Sequence, residues 1–257
     1  MKGVVLAGGL GSRLLPCTRV FNKHLLPVYN QPMIYYPLQT LKTAGIRDIL
    51  IVTGGNSSGD FLKLLGSGSE FEINLYFAYQ EGEGGIAAAL KLAENFVDDK
   101  FIVMLGDNIT TLNLQSFASN FNYQPPNTAR ILLKKVKDPS RFGVAEIDAS
   151  ENIVDIVEKP ATPVSHFAVT GIYAYDKIVF EFTRSLKPSA RGELEITDVN
   201  KAYLARNELG YEIMEDFWSD AGTFESLATA SEYMRQASLG HSLREALRNG
   251  DWDRGPR

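Results

Sequence analysis

The 257-residue sequence predicts an α/β fold: a mixed, mainly parallel sheet flanked by helices, with a strand-rich insertion in its second half. Three observations predict it. The apolar runs Val4-Val5-Leu6 and Ile49-Leu50-Ile51-Val52 are unalternated, as strands covered on both faces require. Helical patterns alternate with such strands through the first half. After about residue 130 the pattern turns to strands, and helices return only later.

Taken in order, the first strand is expected at 3–7, running directly into a glycine-rich loop. A helix is expected at 33–44, with Pro32 in its first turn and Gly45 as its stop. A buried strand at 48–53, a helix at 60–65 and an alternating strand at 71–79 follow. Gly84-Gly85 opens a helix reaching about residue 97, and a buried strand at 101–105 ends at Gly106-Asp107. Strands are then expected at 131–136, 144–147, 153–157 and 169–175, and helices at 178–186 and 196–206. Pro125-Pro126 and the stretch from Pro160 to Pro163 punctuate this half. From about Ser231 the chain reads as helical and charged, ending in a Gly/Asp/Arg/Pro tail expected to fray. With no internal repeat and no low-complexity linker, one domain is expected over 1–240, in parts of about 1–130 and 131–230, with a tail at 241–257.

Composition narrows the function. With 44% hydrophobic and 22% charged residues the chain can bury one large core or two small ones. A formal charge of −5 disfavours nonspecific attraction to nucleic acid or anionic membrane, so neither is an expected partner. No apolar run of eighteen residues occurs, and the N-terminus enters a strand where a signal peptide would place its hydrophobic stretch; a soluble, cytoplasmic protein is expected. Cys17 is the single cysteine, so no internal disulfide can form. His24, His166 and His241 have no metal-ligand spacing, which argues against zinc.

The loop Ala7-Gly8-Gly9-Leu10-Gly11-Ser12-Arg13-Leu14 sits at the carboxyl end of the first strand, the edge where open α/β sheets bind ligands. Three glycines in four positions let consecutive N–H groups face a phosphate or a base. Arg13 adds a planar fork of donors suited to phosphate oxygens. A Walker P-loop fails on Ser12-Arg13, where Lys and then Ser/Thr are required. A dinucleotide fingerprint fails on Leu14 and on Thr53-Gly54-Gly55, where an acid should end the second strand. A tight strand-to-helix turn with no ligand is the plain alternative.

Further blocks follow this loop in order. Leu6 to Pro16, Asn22 to Pro27 (NKHLLP), Pro32 to Pro37 (PMIYYP), Leu105-Gly106-Asp107-Asn108 and Asp138 to Val144 (DPSRFGV) are succeeded by Glu158-Lys159-Pro160, Ala168 to Tyr173 (AVTGIY), Arg191 to Asp198 (RGELEITD) and Trp218 to Thr223 (WSDAGT). Together, over nearly all of the chain to about Ser231, they resemble the sugar nucleotidyltransferases, and most closely the glucose-1-phosphate thymidylyltransferases.

The resemblance implies a Rossmann-like fold of the nucleotide-diphospho-sugar transferase type, its second part binding sugar. It implies an enzyme that condenses glucose 1-phosphate with dTTP to dTDP-glucose and pyrophosphate by Mg²⁺-dependent in-line attack on the α-phosphorus. UTP or another nucleoside triphosphate, or another sugar 1-phosphate, is the alternative within that chemistry. A noncatalytic nucleotide-sugar-binding regulatory module is the alternative outside it, but Arg13, Lys23, Asp107 and Asp220, which a degenerate copy would lose, are all present. Carried over position by position, Arg13, Lys23, Asp107 and Lys159 are the catalytic candidates. Leu6, Ala7, Gly8, Gly9, Gly11, Ser12, Arg13, Gln80, Gly85 and Asp107 would bind nucleotide. Gly143, Glu158, Lys159, Val169, Thr170 and Glu193 would bind the sugar phosphate, and Asp107 with Asp220 would hold Mg²⁺. The amide of Gln80 complements the N3–H and carbonyl of thymine or uracil, and a flipped amide also suits cytosine.

Three positions depart from the family pattern: His24 and Ala88 where glutamine is usual, and Asp198 where serine is frequent. They bear on specificity. The chain also ends sooner after Thr223 than long family members, whose extra C-terminal helices help form a regulatory nucleotide-sugar site; that site is expected to be absent or reduced. A homo-oligomer, tetramer or dimer, is carried over from the family.

Overall fold

The computed structural model describes residues 1–82 and 84–249. In chain order the strands are β1 (Lys2–Ala7), β2 (Pro27–Val28), β3 (Gln31–Pro32), β4 (Asp48–Gly54), β5 (Asn74–Gln80), β6 (Phe101–Leu105), β7 (Ile109–Thr110), β8 (Ala129–Lys135), β9 (Gly143–Ile147), β10 (Ile153–Glu158), β11 (Phe167–Tyr175), β12 (Leu209–Ile213) and β13 (Trp218–Ser219). The helices are α1 (Tyr35–Thr43), α2 (Ser58–Leu65), α3 (Ile86–Lys91), α4 (Gln115–Asn122), α5 (Val179–Ser185), α6 (Ile196–Leu204) and α7 (Phe224–Asn249).

Alternation along the strands splits the core into two layers. Val4, Leu6, Leu50, Val52, Phe101 and Val103 face one way, beneath Leu90 of α3, Phe180 of α5 and Val199 and Tyr203 of α6. Val5, Ala7, Ile49, Ile51, Ile102 and Met104 face the other, beneath Leu38 and Leu41 of α1, Phe61 of α2 and Phe117 and Phe121 of α4. Burial on both faces is why these strands lack polar alternation.

β1 lies between β4 and β6, all parallel, and β5 extends the parallel set from β4. β11 runs antiparallel to β6, so the mixed, mainly parallel sheet expected from the sequence is what forms. One edge of β11 pairs with β8, with an irregularity between Val169 and Tyr173, and β12 lies parallel beyond β8. The opposite edge forks. β9 pairs there at Ala168, whereas β6 pairs from Ile172 to Tyr175. Thr170 and Gly171 lie at the fork, where β6 and β9 diverge and open a cleft.

Several element bounds differ from the sequence expectation. Pro32 belongs to β3, opposite Pro27, and α1 begins at Tyr35 with Pro37 in the first turn, where no intrahelical N–H partner is needed. β5 starts at Asn74, since Ser69–Phe71 is a 3₁₀ turn. α3 stops at Lys91 and continues as tight turns, Ala93 N–H donating to Leu90 O and Phe96 N–H to Ala93 O. α4 and β12 were not expected. α7 begins at Phe224, ahead of Ser231, and the end of the tail, residues 250–257, lies outside the described residues.

Candidate active site

The glycine-rich loop is held by close packing. A Cβ on Gly8 would lie 2.7 Å from Gln80 Oε1, and one on Gly11, whose φ is +69°, would lie 2.9 Å from both Lys23 Cβ and Thr18 Cγ2. Any side chain there would displace Gln80 or Lys23, so glycine draws β1, β5 and the Asn22–Leu25 turn together. That turn is capped by Asn22, whose Oδ1 accepts the His24 N–H at 2.9 Å.

The loop forms one wall of a cavity of about 700 Å³ at the fork of the sheet. Lys23 projects into it and pairs with Asp107 at 2.5 Å, with side chains only 14% and 10% exposed. Burial pushes the Asp107 carboxyl up, but the Lys23 charge and hydrogen bonds from Lys23 and Asn108 outweigh it and hold the group below the usual carboxylate range. His24 is driven the other way. Burial, then the Lys23 ammonium, lower it to about 3 against the pull of Asp107 and the Ala7 carbonyl, so a neutral imidazole packs beside Asp107.

Asn108 anchors this corner. Its Nδ2 donates to Asp107 Oδ1 at 3.0 Å, while its Oδ1 accepts from Gly171 N at 2.8 Å and Trp218 Nε1 at 2.7 Å. Gly171 is obligatory, since a Cβ would meet Asn108 Nδ2 at 2.6 Å. Asp107 precedes β7 and Asp220 follows β13, and these two strands pair antiparallel through Ser219 and Ile109. The ladder therefore brings both carboxylates to one end of the same ribbon. Asp220 Oδ2 accepts from Arg141 Nη2 at 2.7 Å, and a Cβ on Gly222 would lie 2.9 Å from Arg13 Nη2, so two guanidinium groups border the Asp220 loop.

Across the fork, Glu158 Oε2 accepts from Thr197 Oγ1 at 2.6 Å and its Oε1 lies 3.4 Å from Lys159 Nζ. Arg191 reaches both Glu195 oxygens at 2.8 Å and stands 3.5 Å from Glu158 and from Glu193. Lys159 and Ala221 are in positive-φ conformations, +43° and +33°, each directly after a cavity carboxylate. Such backbone persists only where its surroundings hold it, as the bond from Lys159 N–H to Phe142 O does at 2.9 Å.

The same cavity collects Leu6, Gly8, Gly9, Gly11, Ser12, Arg13, Gln80 and Gly85 on the first side, and Gly143, Glu158, Lys159, Val169 and Glu193 on the second, with Lys23, Asp107 and Asp220 where they meet. Two expected residues are not among the side chains that line it. The Ala7 methyl is in the core beneath α1, leaving only its backbone near the loop. Thr170 alternates with Val169 and Gly171, so it faces the opposite layer, fully buried, and donates from Oγ1 to Leu132 O at 2.9 Å. Of the three departures from the family pattern, His24 lines the cavity while Ala88 and Asp198 do not. Residues that the sequence reading passed over also line it: Asn108, Arg141, Arg191, Glu195, Thr197 and Trp218. All six stand inside the sequence blocks already quoted, and their polar or aromatic character in those blocks was the available signal.

Comparison with known proteins identifies the family. A family model for nucleotidyl transferases matches residues 2–237. A glucose-1-phosphate thymidylyltransferase of Neisseria meningitidis is 46% identical over 240 residues, covering 91% of this chain and 83% of that protein. One from Mycolicibacterium smegmatis is 43% identical, with 95% and 85% covered. Among solved structures, a Bacillus anthracis protein assigned as a glucose-1-phosphate thymidylyltransferase, in complex with a sucrose, superimposes with a TM-score of 0.87 at 50% identity, covering 91% of this chain and 95% of that one. A UDP-glucose pyrophosphorylase complexed with UDP-glucose shares the fold, with a TM-score of 0.80 at 24% identity over 92% and 98% of the two chains. The chain belongs to the nucleotidyl transferase family, and its relatives there include glucose-1-phosphate thymidylyltransferases.

Proposed function

We propose that this protein is a glucose-1-phosphate thymidylyltransferase, joining glucose 1-phosphate to dTTP with release of pyrophosphate. The observation that carries the reading is one cavity with a glycine-rich loop, Arg13 and Lys23 on one side, Glu158 and Lys159 on the other, and Asp107 and Asp220 where they meet. The loop amides and Arg13 hold the triphosphate and steady the departing pyrophosphate. Lys159 orients the phosphate of the sugar, and Glu158, set by Thr197, takes a sugar hydroxyl. The attacking phosphate oxygen is already anionic near neutral pH, so no general base is needed and positioning carries the chemistry. Gln80 reads the pyrimidine edge, which suits dTTP and UTP equally, and the choice of dTTP follows the relatives.

Two carboxylates at one end of the β7/β13 ribbon fit Mg²⁺, which is usually bound through one or two carboxylates plus substrate phosphates. Among the described residues no third acid, histidine or cysteine completes a cluster, so the remaining ligands would come from substrate and water. A bound Mg²⁺ would neutralise charge on the phosphates as the bond to pyrophosphate breaks.

Pyrophosphate release measured with Mg²⁺, glucose 1-phosphate and each of dTTP, UTP, CTP, GTP and ATP tests the activity; dTTP should give the highest kcat/KM, and no release with any of them rejects the reading. Asp107→Asn should lower kcat by about two orders of magnitude or more with the fold intact, as loss of a metal ligand does. Near-normal turnover would remove Asp107 from the mechanism. The proposed homo-oligomer, tetramer or dimer, is read by sedimentation; no helix among the described residues is long and apolar enough to cross a membrane.

A further inference from the structure

Each proposed metal carboxylate is already occupied by a protein cation, and the two pairs have the same form. Lys23 Nζ sits 2.5 Å from Asp107 Oδ2, and Arg141 Nη2 sits 2.7 Å from Asp220 Oδ2. The second oxygen of Asp107 is taken by Asn108 Nδ2 at 3.0 Å. Both aspartate side chains are mostly buried, 10% and 15% exposed, so their pairing is little screened by solvent. Two carboxylates against two cations leave the quartet neutral, and Arg13 beside Gly222 adds a further positive charge at the same place.

We propose that Lys23 and Arg141 are counter-cations that keep the nucleotide-free site closed to divalent metal, so that the metal enters only together with a polyphosphate. The inference rests on the assignment of Asp107 and Asp220 as metal ligands and adds Arg141 to the working residues. A bare divalent cation approaching this corner meets no excess negative charge, and it must expel an ammonium or a guanidinium from a largely buried carboxylate. A triphosphate changes the balance. Its oxygens give Lys23, Arg141 and Arg13 new anionic partners, and Arg141 is suited to the exchange because a guanidinium pairs with phosphate as well as with carboxylate. The two aspartates are thereby released for the metal. Coupling of this kind is reciprocal: whatever factor the polyphosphate adds to metal affinity, the metal adds to polyphosphate affinity.

Equilibrium binding of Mn²⁺, read by its electron paramagnetic resonance signal on the full chain, tests this without any turnover. The probes are Mn²⁺ alone and Mn²⁺ with α,β-methylene-dTTP, inorganic tripolyphosphate or thymidine. Measured against the Mn²⁺ that each polyphosphate chelates without protein, the protein complexes of the first two should hold Mn²⁺ about tenfold or more tightly, within the usual range of coupling between sites, and thymidine should give no enhancement over the protein alone. Arg141→Met should raise the affinity of the nucleotide-free protein for Mn²⁺ severalfold and shrink the enhancement, while Arg141→Lys, which keeps a cation there, should restore wild-type behaviour. Tight Mn²⁺ binding to the nucleotide-free wild type that disappears in Asp220→Asn would overturn the proposal and leave the metal ligands standing, as would an unchanged nucleotide-free affinity in Arg141→Met. Wild-type Mn²⁺ affinity in the methylene-dTTP complex of Asp220→Asn would instead overturn the metal assignment beneath it.

Discussion

At the residue scale, Asn108 does the most with the fewest atoms. One buried amide donates to Asp107 and accepts from the Gly171 N–H and the Trp218 indole. Asn108→Ala leaves the buried Gly171 N–H without an acceptor, at about 1–3 kcal/mol, and the part-buried Trp218 N–H without one at a smaller cost. Urea unfolding should therefore show a loss of about 1–4 kcal/mol on the same scale, and kcat should fall with it because Asp107 loses a fixing bond; a change below the error of the measurement would deny Asn108 this role. Asp107 was legible because its sequence block marks it. The partners of Asn108 were not, since Trp218 lies 110 residues away and nothing in local order says which groups an amide will meet. His24 makes a pH prediction. Its folded value is depressed to about 3 from an ordinary 6.5, so the unfolded chain takes up a proton that the folded one refuses. Stability should thus fall as pH drops from 6.5 toward 3, and His24→Gln should flatten that part of the profile in thermal melts at successive pH values. A parallel profile in the variant would show that His24 does not titrate on unfolding.

Elements were legible where both local and tertiary preferences agreed. β1, β4 and β6 are fully enclosed, so an unbroken apolar run left one reading. α4 was hidden by composition: Leu114, Phe117, Ala118 and Phe121 have helical spacing and are all buried, but Gln, Ser and Asn fill the intervening positions. β12 is short, half-buried and, among the described residues, paired only with β8, which leaves a weak alternation and no second described neighbour to enforce it. The side chain of Thr170 turns away from the cavity for a related reason, because matching a block fixes position along a strand and period two then decides which face is presented. Two glycines contrast between elements. Gly45 and Gly85 share a φ of +83°, but a Cβ on Gly45 meets nothing within 4 Å, whereas Gly85 has a ψ of 177°, a backbone region essentially restricted to glycine, and a Cβ there lies 2.7 Å from Leu194 O. Gly45→Ala should cost about 1–2 kcal/mol, the strain of the left-handed region alone. Gly85→Ala should cost more and should also weaken substrate binding, because Leu194 N–H donates to Gly84 O and Ala87 N–H to Leu194 O, tying the β5–α3 loop to the loop before α6. Equal losses in the two variants' melting curves would remove both the clash and the glycine-only backbone of Gly85 as causes.

At the scale of the whole molecule, the fork in the sheet decides how two substrates meet. β6 carries Asp107 at its end, β9 begins at Gly143 and β10 ends at Glu158, so the strand ends that surround the cavity belong to two sub-sheets joined through β11. The segment Ile172–Tyr175 pairs with β6 on one edge, and Tyr173 and Ala174 pair with β8 on the other. Its amides should exchange with deuterium most slowly in every state, since they open only when the joint itself opens. The loops on either side should respond separately. With α,β-methylene-dTTP alone, protection should appear at residues 8–13 and 80–86; with glucose 1-phosphate alone, it should appear at 140–144, 158–160 and 191–197. With both present, protection should exceed the sum at 84–87 and 193–195, because the backbone bonds between Gly84, Ala87 and Leu194 are where the two sides touch. If glucose 1-phosphate alone protected 8–13 as strongly as the nucleotide analogue does, the two sides would move as one body, and the fork would be a shape without a mechanical consequence.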